Sequence, residues 1–352
     1  MKRGLILEGG AIKGSYQIGA YYAFKKLGIK FDGFAGTSIG SFNAALLACN
    51  KGKELLHFWQ TVDPGVIIGA DEKLIKAINS ENLELPNLLK GAIGSVKKWI
   101  GAHGIDTKPL YDVMENLLVE DELRKSKKDF GLVTVKLKGF KPKYIYKEDI
   151  PEGKLYDYIL ASCYLPVFKM NKIIDDNIYL DGGFYDNCPV SLLLDKGYDV
   201  VYAVKINGIG LSKKLQKKQD EKVIYITPSR NICKTFEMNR EIINENILMG
   251  FYDTLRTIGN YDGIKYVFKK RSNKYYEHLV RKVDSKTYKY VASYFKTNDP
   301  KIMVIRAVEY MAEKKYIDYY NIYRLYNLVL KIRKNGYKKN KIYDFVKQLR
   351  LF

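Results

Sequence analysis

The chain has 352 residues, 47% of them hydrophobic and 28% charged, and its formal net charge is +21. A chain of this length and apolar content can bury a large core and can also form a second, smaller domain. No apolar run approaches the roughly 20 residues of a membrane-spanning helix, and the first residues lack a signal peptide's uncharged apolar stretch. The four cysteines show no C-x-x-C spacing. They indicate reduced thiols in a cytoplasmic protein, and the sequence calls for no metal and no cofactor.

A glycine cluster follows the first predicted strand, residues 4–7. Its spacing fits neither a P-loop, where Lys follows the last glycine, nor the dinucleotide pattern G-x-G-x-x-G. Because neighbouring parallel strands end at the same edge of a sheet, its backbone N–H groups can form an oxyanion hole for a site on the next strand. The alternative is a plain tight turn with close helix packing. The predicted oxyanion loop consists of Gly9, Gly10, Ala11, Ile12, Lys13 and Gly14.

A G-x-S-x-G pattern follows the second predicted strand. Ser38 stands between Gly36 and Gly40, after the strand-like run 31–35 and before the helix-like run 41–47. This spacing is typical of a nucleophile elbow, a strained turn whose glycines leave the serine hydroxyl accessible. The amino end of the following helix favours negative charge at the same point. The pattern therefore predicts Ser38 as a catalytic nucleophile.

An amphipathic stretch follows at residues 88–105. Leu89, Ile93 and Val96 share one helical face and lysines lie opposite, which is the pattern of an interfacial helix. Three glycines weaken this helix, as suits a mobile lid. The alternative is a helix packed on the core. We expect a cap or lid region within residues 54–108.

The predicted nucleophile needs a general base, and Asp181 is a better candidate than histidine. Of the three histidines, only His278 fits the order Ser, acid, His of an α/β-hydrolase, and it lies in a basic, tyrosine-rich stretch. Asp181 follows the apolar run 178–180, and Gly182 and Gly183 then let the backbone turn around it. A buried, hydrogen-bonded carboxylate can act as the base. The alternative is an ordinary Asp-Gly-Gly turn.

Alternating strands and helices are predicted through the rest of the core. Residues 130–137, 200–206 and 223–226 are predicted as strands, and 232–258 as a long helix. This alternation indicates an α/β fold.

The glycine loop, the serine elbow and the Asp181 turn, taken in their order along the chain, resemble the patatin-like phospholipase family. The resemblance covers roughly residues 2–260. Besides the glycine loop and the elbow, the resemblance rests on Ala161, Ser162 and Pro166, and on Asp181-Gly182-Gly183 followed by Asn187 and Pro189.

The resemblance implies a three-layer α/β/α fold and a Ser–Asp dyad without histidine. Ser38 is then the nucleophile, Asp181 the base, and the loop from Gly9 to Gly14 the oxyanion hole. The implied activity is hydrolysis of lipid acyl esters, of phospholipase A type, with a phospholipid or related lipid as substrate. Ala11 stands where the family usually has glycine, and a positive φ there would cost roughly 1 kcal/mol or more.

The end of the chain differs in composition from the rest. Residues 264–352 hold 23 Lys and Arg against 7 Asp and Glu, and 14 of the 30 tyrosines. We therefore divide the chain into an acyl hydrolase domain, residues 1–262, and a basic helical extension, residues 263–352. The extension is expected to contact anionic lipid, so that the enzyme is peripheral at the inner face of the membrane. The alternative is an ordinary solvated surface.

The sequence is also compatible with two other functions. A thioesterase or acyltransferase could use the same dyad. A nucleic-acid binder could stack bases on the tyrosine-rich extension, but this region has no recognised nucleic-acid motif and the dyad would go unexplained. The sequence predicts no oligomeric state.

Overall fold

The computed structural model describes residues 1–63, 65, 106–166, 168–169, 171–233, 239–334, 336–337 and 340–351. The predicted lid at 88–105, and most of the cap region 54–108, lie outside the described residues. The chain divides into two compact units, Met1–Phe251 and Tyr252–Phe352. The sequence prediction places this boundary at residue 262. Within the described ranges, no helix is both long enough and apolar enough to cross a bilayer.

The first unit alternates strands and helices. Its strands are β1 (Arg3–Leu7), β2 (Gly33–Thr37), β3 (Asp129–Lys136), β4 (Lys141–Tyr146), β5 (Tyr179–Asp181), β6 (Val200–Val204) and β7 (Val223–Ile226). Its helices are α1 (Ser15–Lys26), α2 (Ile39–Ala48), α3 (Gly52–Thr61), α4 (Lys108–Leu117), α5 (Glu120–Lys125), α6 (Leu155–Ser162), α7 (Ser191–Leu194) and α8 (Lys217–Asp220). Helix α9 (Arg240–Ile258) contains the boundary between the units.

These strands form one sheet in the order β4-β3-β2-β1-β6-β7. Strands β3, β2, β1, β6 and β7 are parallel to their neighbours in that order, whereas β4 and β5 pair antiparallel with β3. The carboxyl ends of β1, β2 and β6 therefore lie at one edge of the sheet, where ligands bind in open α/β folds.

Both faces of the sheet are covered by helices. On one face, Ile6 and Ala35 pack in one core cluster with Leu192 and Leu193 of α7. On the other face, the ring of Phe24 in α1 contacts that of Tyr202. Burial on both faces explains why the central strands are almost continuously apolar. The predicted α/β fold with helices flanking a largely parallel sheet is confirmed.

The predicted strands agree with the structure to within a few residues. Residues 130–137 are observed as 129–136, 200–206 as 200–204, and 223–226 without change. Helix α9 begins at residue 240, whereas the prediction begins at 232 and includes 234–238, which lie outside the described residues. Strands β4 and β5 have no counterpart in the prediction.

The second unit is mostly helical. Its helices are α10 (Asn273–Val280), α11 (Ser285–Phe295), α12 (Pro300–Lys314), α13 (Leu325–Lys334) and α14 (Lys341–Gln348). A small sheet, absent from the prediction, joins β8 (Tyr261–Asp262), β9 (Val267–Lys269) and β10 (Ile322–Tyr323) in the order β10-β9-β8. Apolar residues of α12 and of the α14 region are buried in one core: Val304, Val308, Met311, Ile342, Phe345, Val346 and Leu349. His278 lies on α10.

Candidate active site

Ser38 occupies a strained turn between β2 and α2. Its backbone has φ 55° and ψ −134°, a conformation that residues with a side chain rarely adopt. A Cβ on Gly40 would lie 2.2 Å from the Leu7 carbonyl oxygen, and one on Gly36 would lie 2.4 Å from the Gly40 backbone. Only glycine fits at both positions, so the local sequence forms the elbow and presents Ser38 at the amino end of α2.

The glycine loop follows β1 and forms a 3₁₀ turn over Ala11–Gly14. The Gly9 N–H donates to the Asn187 carbonyl oxygen at 3.1 Å. The N–H groups of Gly10 and Ala11, by contrast, have no protein acceptor within the described ranges. These two groups are free to donate to a bound oxyanion.

The remaining loop residues are held by packing and by one hydrogen bond to a segment distant in sequence. Ala11 has φ 48°, the left-handed conformation expected to be strained for alanine. Ile12, Lys13 and Gly14 are buried. The Lys13 ammonium donates to the Asn207 carbonyl oxygen at 2.7 Å, and burial lowers the pKa of this lysine. Lys13 therefore ties the loop to the segment after β6.

Asp181 ends β5, and the strand register brings it beside the elbow. Val133 of β3 pairs with Thr37, and the next residue, Thr134, pairs with Asp181. Because β4 pairs with the other edge of β3, β5 continues along the edge that β2 leaves. Asp181 therefore lies next to Ser38, which follows Thr37.

The Asp181 carboxylate is buried, with 4% of the residue exposed. It accepts the Gly183 N–H at 2.7 Å, and the Ser38 side chain lies within hydrogen-bonding reach. Burial raises the pKa of Asp181 from 3.8 to about 6, although the Ser38 side chain and the Gly183 N–H both favour the ionised form. A Cβ on Gly182 would lie 2.2 Å from the Val133 carbonyl oxygen, so this turn also requires glycine. At neutral pH the group is ionised and more basic than an exposed aspartate.

Ser162 fixes the backbone of the nucleophile. Its hydroxyl accepts the Ser38 N–H at 3.0 Å and donates to the Val133 carbonyl oxygen at 2.7 Å. Thr134 donates to the Ala161 carbonyl oxygen at 2.8 Å and holds the end of α6 against β3. The Ser38 N–H is therefore unavailable to an oxyanion. The sequence marks residues 161–162 by resemblance but gives them no role.

Asn187 links the glycine loop to the segment that carries Asp181. Its side-chain amide donates to the Gly9 carbonyl oxygen at 3.0 Å. Since the C=O and N–H of a trans peptide point in opposite directions, this bond fixes the direction of the Gly10 N–H. A Cβ on Gly9 or on Gly183 would lie within 3 Å of the Asn187 Oδ1. Asn187 is named in the resemblance, and its hydrogen bonds could not be predicted from it.

A buried thiol also lies in the site. Cys163 is within hydrogen-bonding reach of the Ser38 and Ser41 side chains. Burial, together with the negative charge of Asp181, raises the pKa of Cys163 well above its usual value of 9.0. The thiol is therefore neutral at physiological pH, and the thiolate that a cysteine nucleophile requires is absent. Sequence reasoning gives this cysteine no role.

Comparison with known proteins agrees with this geometry. The patatin-like phospholipase family profile matches residues 5–194, more than half of the chain. Lysophospholipase NTE1 of Kluyveromyces lactis is 25% identical over 206 residues, covering 58% of this chain and 13% of the relative, and that of Meyerozyma guilliermondii is 27% identical over 215 residues. The chain therefore spans about an eighth of the length of these relatives.

Solved structures with similarity include VipD from Legionella pneumophila, with TM-score 0.43, 15% identity, and coverage of 98% of this chain and 83% of that one. The type III effector ExoU has TM-score 0.40 and 12% identity, with coverage of 98% and 71%. The matched range includes the glycine loop, the elbow and Asp181. By this match, the chain belongs to the patatin-like phospholipase family.

Proposed function

We propose that the protein is a lipid acyl hydrolase of phospholipase A type, in which Ser38 is the nucleophile and Asp181 the general base. The observation that carries this proposal is that the strand register places Ser38, within hydrogen-bonding reach, beside a buried carboxylate whose pKa is raised to about 6. A base of this strength is largely ionised at neutral pH and still accepts a proton readily.

In the first step, the Ser38 oxygen attacks the ester carbonyl carbon of a glycerolipid as Asp181 takes the hydroxyl proton. The carbonyl oxygen becomes an oxyanion, and the free N–H groups of Gly10 and Ala11 hydrogen bond to it. Each well-placed donor of this kind contributes roughly 3 kcal/mol to transition-state stabilisation. The tetrahedral intermediate then collapses, and Asp181 returns its proton to the departing alcohol.

In the second step, the acyl group is transferred from Ser38 to water. Asp181 accepts a proton from the water as its oxygen attacks the acyl carbon, and the same loop holds the new oxyanion. The fatty acid leaves, and the proton returns to Ser38. One carboxylate therefore serves both half-reactions, and histidine has no part in them.

The proposal is tested by mass-spectrometric measurement of fatty-acid release from glycerophospholipid and lysophospholipid vesicles. Lysophospholipids are included because the relatives above are named lysophospholipases. Ser38→Ala and Asp181→Asn should each abolish release, with circular dichroism unchanged. Two exposed positions supply matched controls, Ser293→Ala and Asp175→Asn, which should retain release. Release that persists in Ser38→Ala contradicts the proposal.

An added alcohol acceptor distinguishes hydrolysis from acyl transfer in the same assay. A hydrolase gives mainly free fatty acid, whereas an acyltransferase gives mainly the new ester. A thioesterase would instead release acyl groups from thioesters and leave the vesicles unchanged.

We also propose that the enzyme works at an anionic membrane surface, with which the second unit makes peripheral contact. The support is its charge, since residues 264–352 contribute +16 of the total +21. Lysine and arginine near an anionic bilayer each contribute about 1 kcal/mol to binding.

A further inference from the structure

The segment after β6 exposes aliphatic side chains beside the active site. We name residues 207–218, which include the first two residues of α8, the β6 loop. Ile209 is 36% exposed and Leu211 is 49% exposed, and Tyr185, on the neighbouring turn after Gly183, is 37% exposed. Single exposed apolar residues are ordinary, but two aliphatic side chains two positions apart in one loop at the rim of a site are an unpartnered apolar surface.

The backbone of the β6 loop is hydrogen bonded to the segment that carries Asp181. The Leu211 N–H donates to the Gly183 carbonyl oxygen at 2.9 Å, and the Asn187 N–H donates to the Leu211 carbonyl oxygen at 2.5 Å. Gly183 is the residue whose own N–H binds the Asp181 carboxylate. The position of Leu211 is therefore fixed relative to the catalytic aspartate that we propose.

The same loop is also attached to the glycine loop. Lys13 donates to the Asn207 carbonyl oxygen, and the buried Glu8 carboxylate accepts the Gly208 N–H at 3.5 Å. A Cβ on Gly208 would lie 1.8 Å from the Gly9 carbonyl oxygen, so the two backbones are in close contact. Any surface that the β6 loop contacts is thus held next to both halves of the candidate site.

Positive charge follows directly after the aliphatic residues. The β6 loop contains four lysines and no acidic residue. All four are exposed, and in the part of the chain that the structure describes none of them forms an ion pair. Lys213 lies 5.7 Å from the centre of the Tyr144 ring, and the other three are Lys214, Lys217 and Lys218.

We propose that the β6 loop docks the catalytic unit onto an anionic phospholipid bilayer. Ile209 and Leu211 enter the interfacial region, and the lysines contact head-group phosphates. Aliphatic side chains beside unpaired ammonium groups are complementary to such a surface, which is apolar below and negatively charged above. This contact presents the site to ester bonds at the membrane surface, and in this respect the proposal rests on the proposed function.

The test is vesicle co-sedimentation of the full chain carrying Ser38→Ala, so that lipid is not consumed. Vesicles are phosphatidylcholine alone or mixed with phosphatidylglycerol. Two variants probe the loop: Lys214, Lys217 and Lys218 to Glu, and Ile209 and Leu211 to Ser. The charge control reverses Lys25, Lys30 and Lys127, which line a cavity of about 830 Å³ next to Lys2 and Asp129, at the amino ends of the strands.

Both loop variants should bind mixed vesicles at least about tenfold more weakly than the Ser38→Ala parent, because the first loses contacts to head-group phosphates and the second loses apolar insertion. The control variant with three reversed lysines should lose far less vesicle binding than the loop variant with three reversed lysines. Loop variants that bind as well as the control overturn the proposal, whatever the second unit contributes. Failure of the proposed function is a separate result, since it would appear as ester hydrolysis that survives Ser38→Ala with the β6 loop intact.

Discussion

Burial and catalysis place opposite demands on Asp181. A base must be ionised to accept the Ser38 proton, but burial favours the protonated form and raises its pKa to about 6. The nearby Ser38 side chain and the hydrogen bond from the Gly183 N–H offset part of this effect and keep the group ionised at neutral pH. Asp181 is therefore ionised at neutral pH but becomes protonated under mildly acidic conditions.

We accordingly expect kcat/KM to fall as the pH is lowered through about 6, because protonated Asp181 cannot act as a base. Well below this value each unit of pH should lower the rate about tenfold. A soluble short-chain ester is the appropriate substrate, since its availability does not depend on vesicle binding. A rate that stays constant down to about pH 4 would contradict the assignment of Asp181.

Asp181→Asn should become more stable relative to wild type as the pH rises. The folded pKa is raised above the unfolded value, so the carboxyl group stabilises the fold fully at low pH and loses this contribution as the pH rises through about 6. The asparagine side chain does not titrate, so the variant loses no stability in this way. The difference in free energy of unfolding should grow in favour of the variant by up to ~3 kcal/mol between about pH 4 and about pH 7.

Urea unfolding at both pH values measures this change. A constant difference between variant and wild type across the range would show that the pKa of Asp181 is not raised by burial as described here. Comparison at two pH values removes pH-independent effects of the substitution, such as an altered hydrogen bond to Gly183.

The residues that could be predicted from the sequence are those that stand in a local pattern with a chemical reason. Ser38 lies between two glycines, and Asp181 precedes two. Ser162 and Asn187 were not assigned roles, since each bonds to the backbone of a distant segment. The Ser162–Ser38 bond joins residues 124 positions apart, and the Asn187–Gly9 bond joins residues 178 apart.

The same limit applies to whole elements. Parallel strands such as β6 and β7 are apolar runs, and their positions could be predicted to within two residues. Strand β5 has three residues, and its place is set by pairing with β3 beyond the end of β2. Strand β4 contains a proline and two lysines and so lacks a strand-like composition. Tertiary register defines both elements.

Close contact between α2 and β1 makes Gly40 essential to the elbow. Gly40→Ala places a Cβ 2.2 Å from the Leu7 carbonyl oxygen, so β1 and α2 must separate. We expect a loss of more than about 3 kcal/mol in free energy of unfolding, together with lost activity. Gly131→Ala in β3 is the control, because its Cβ lies 3.3 Å from a flexible Leu192 side chain and should cost less than about 1 kcal/mol.

Urea unfolding measures the free energy of unfolding of both variants. Equal stability of Gly40→Ala and Gly131→Ala would mean that the elbow tolerates a side chain, in conflict with the backbone contact described. A variant that is folded and merely inactive would also be informative, since it would limit the effect of Gly40 to the geometry at Ser38.

At the scale of the whole molecule, charge is divided unequally between the two parts of the sequence. Residues 1–263 carry only +5 of the +21. On α11, Tyr290 and Tyr294 are stacked and exposed, with Lys286 and Lys289 exposed on the same helix. Tyrosine and lysine side chains together are favoured at membrane interfaces. Composition alone could not separate this arrangement from an ordinary solvated surface, because it does not say which residues are exposed.

Reversal of Lys286, Lys289 and Lys296 to Glu distinguishes the two interpretations. All three are exposed. If this surface contacts anionic lipid, the Ser38→Ala protein carrying the triple change should bind phosphatidylglycerol-containing vesicles at least about tenfold more weakly at low salt. The deficit should shrink as salt is added, because the screening length falls from about 10 Å at 0.1 M to about 3 Å at 1 M. Binding equal to that of the Lys25, Lys30 and Lys127 control at every salt concentration would instead indicate that these lysines only keep the surface hydrated.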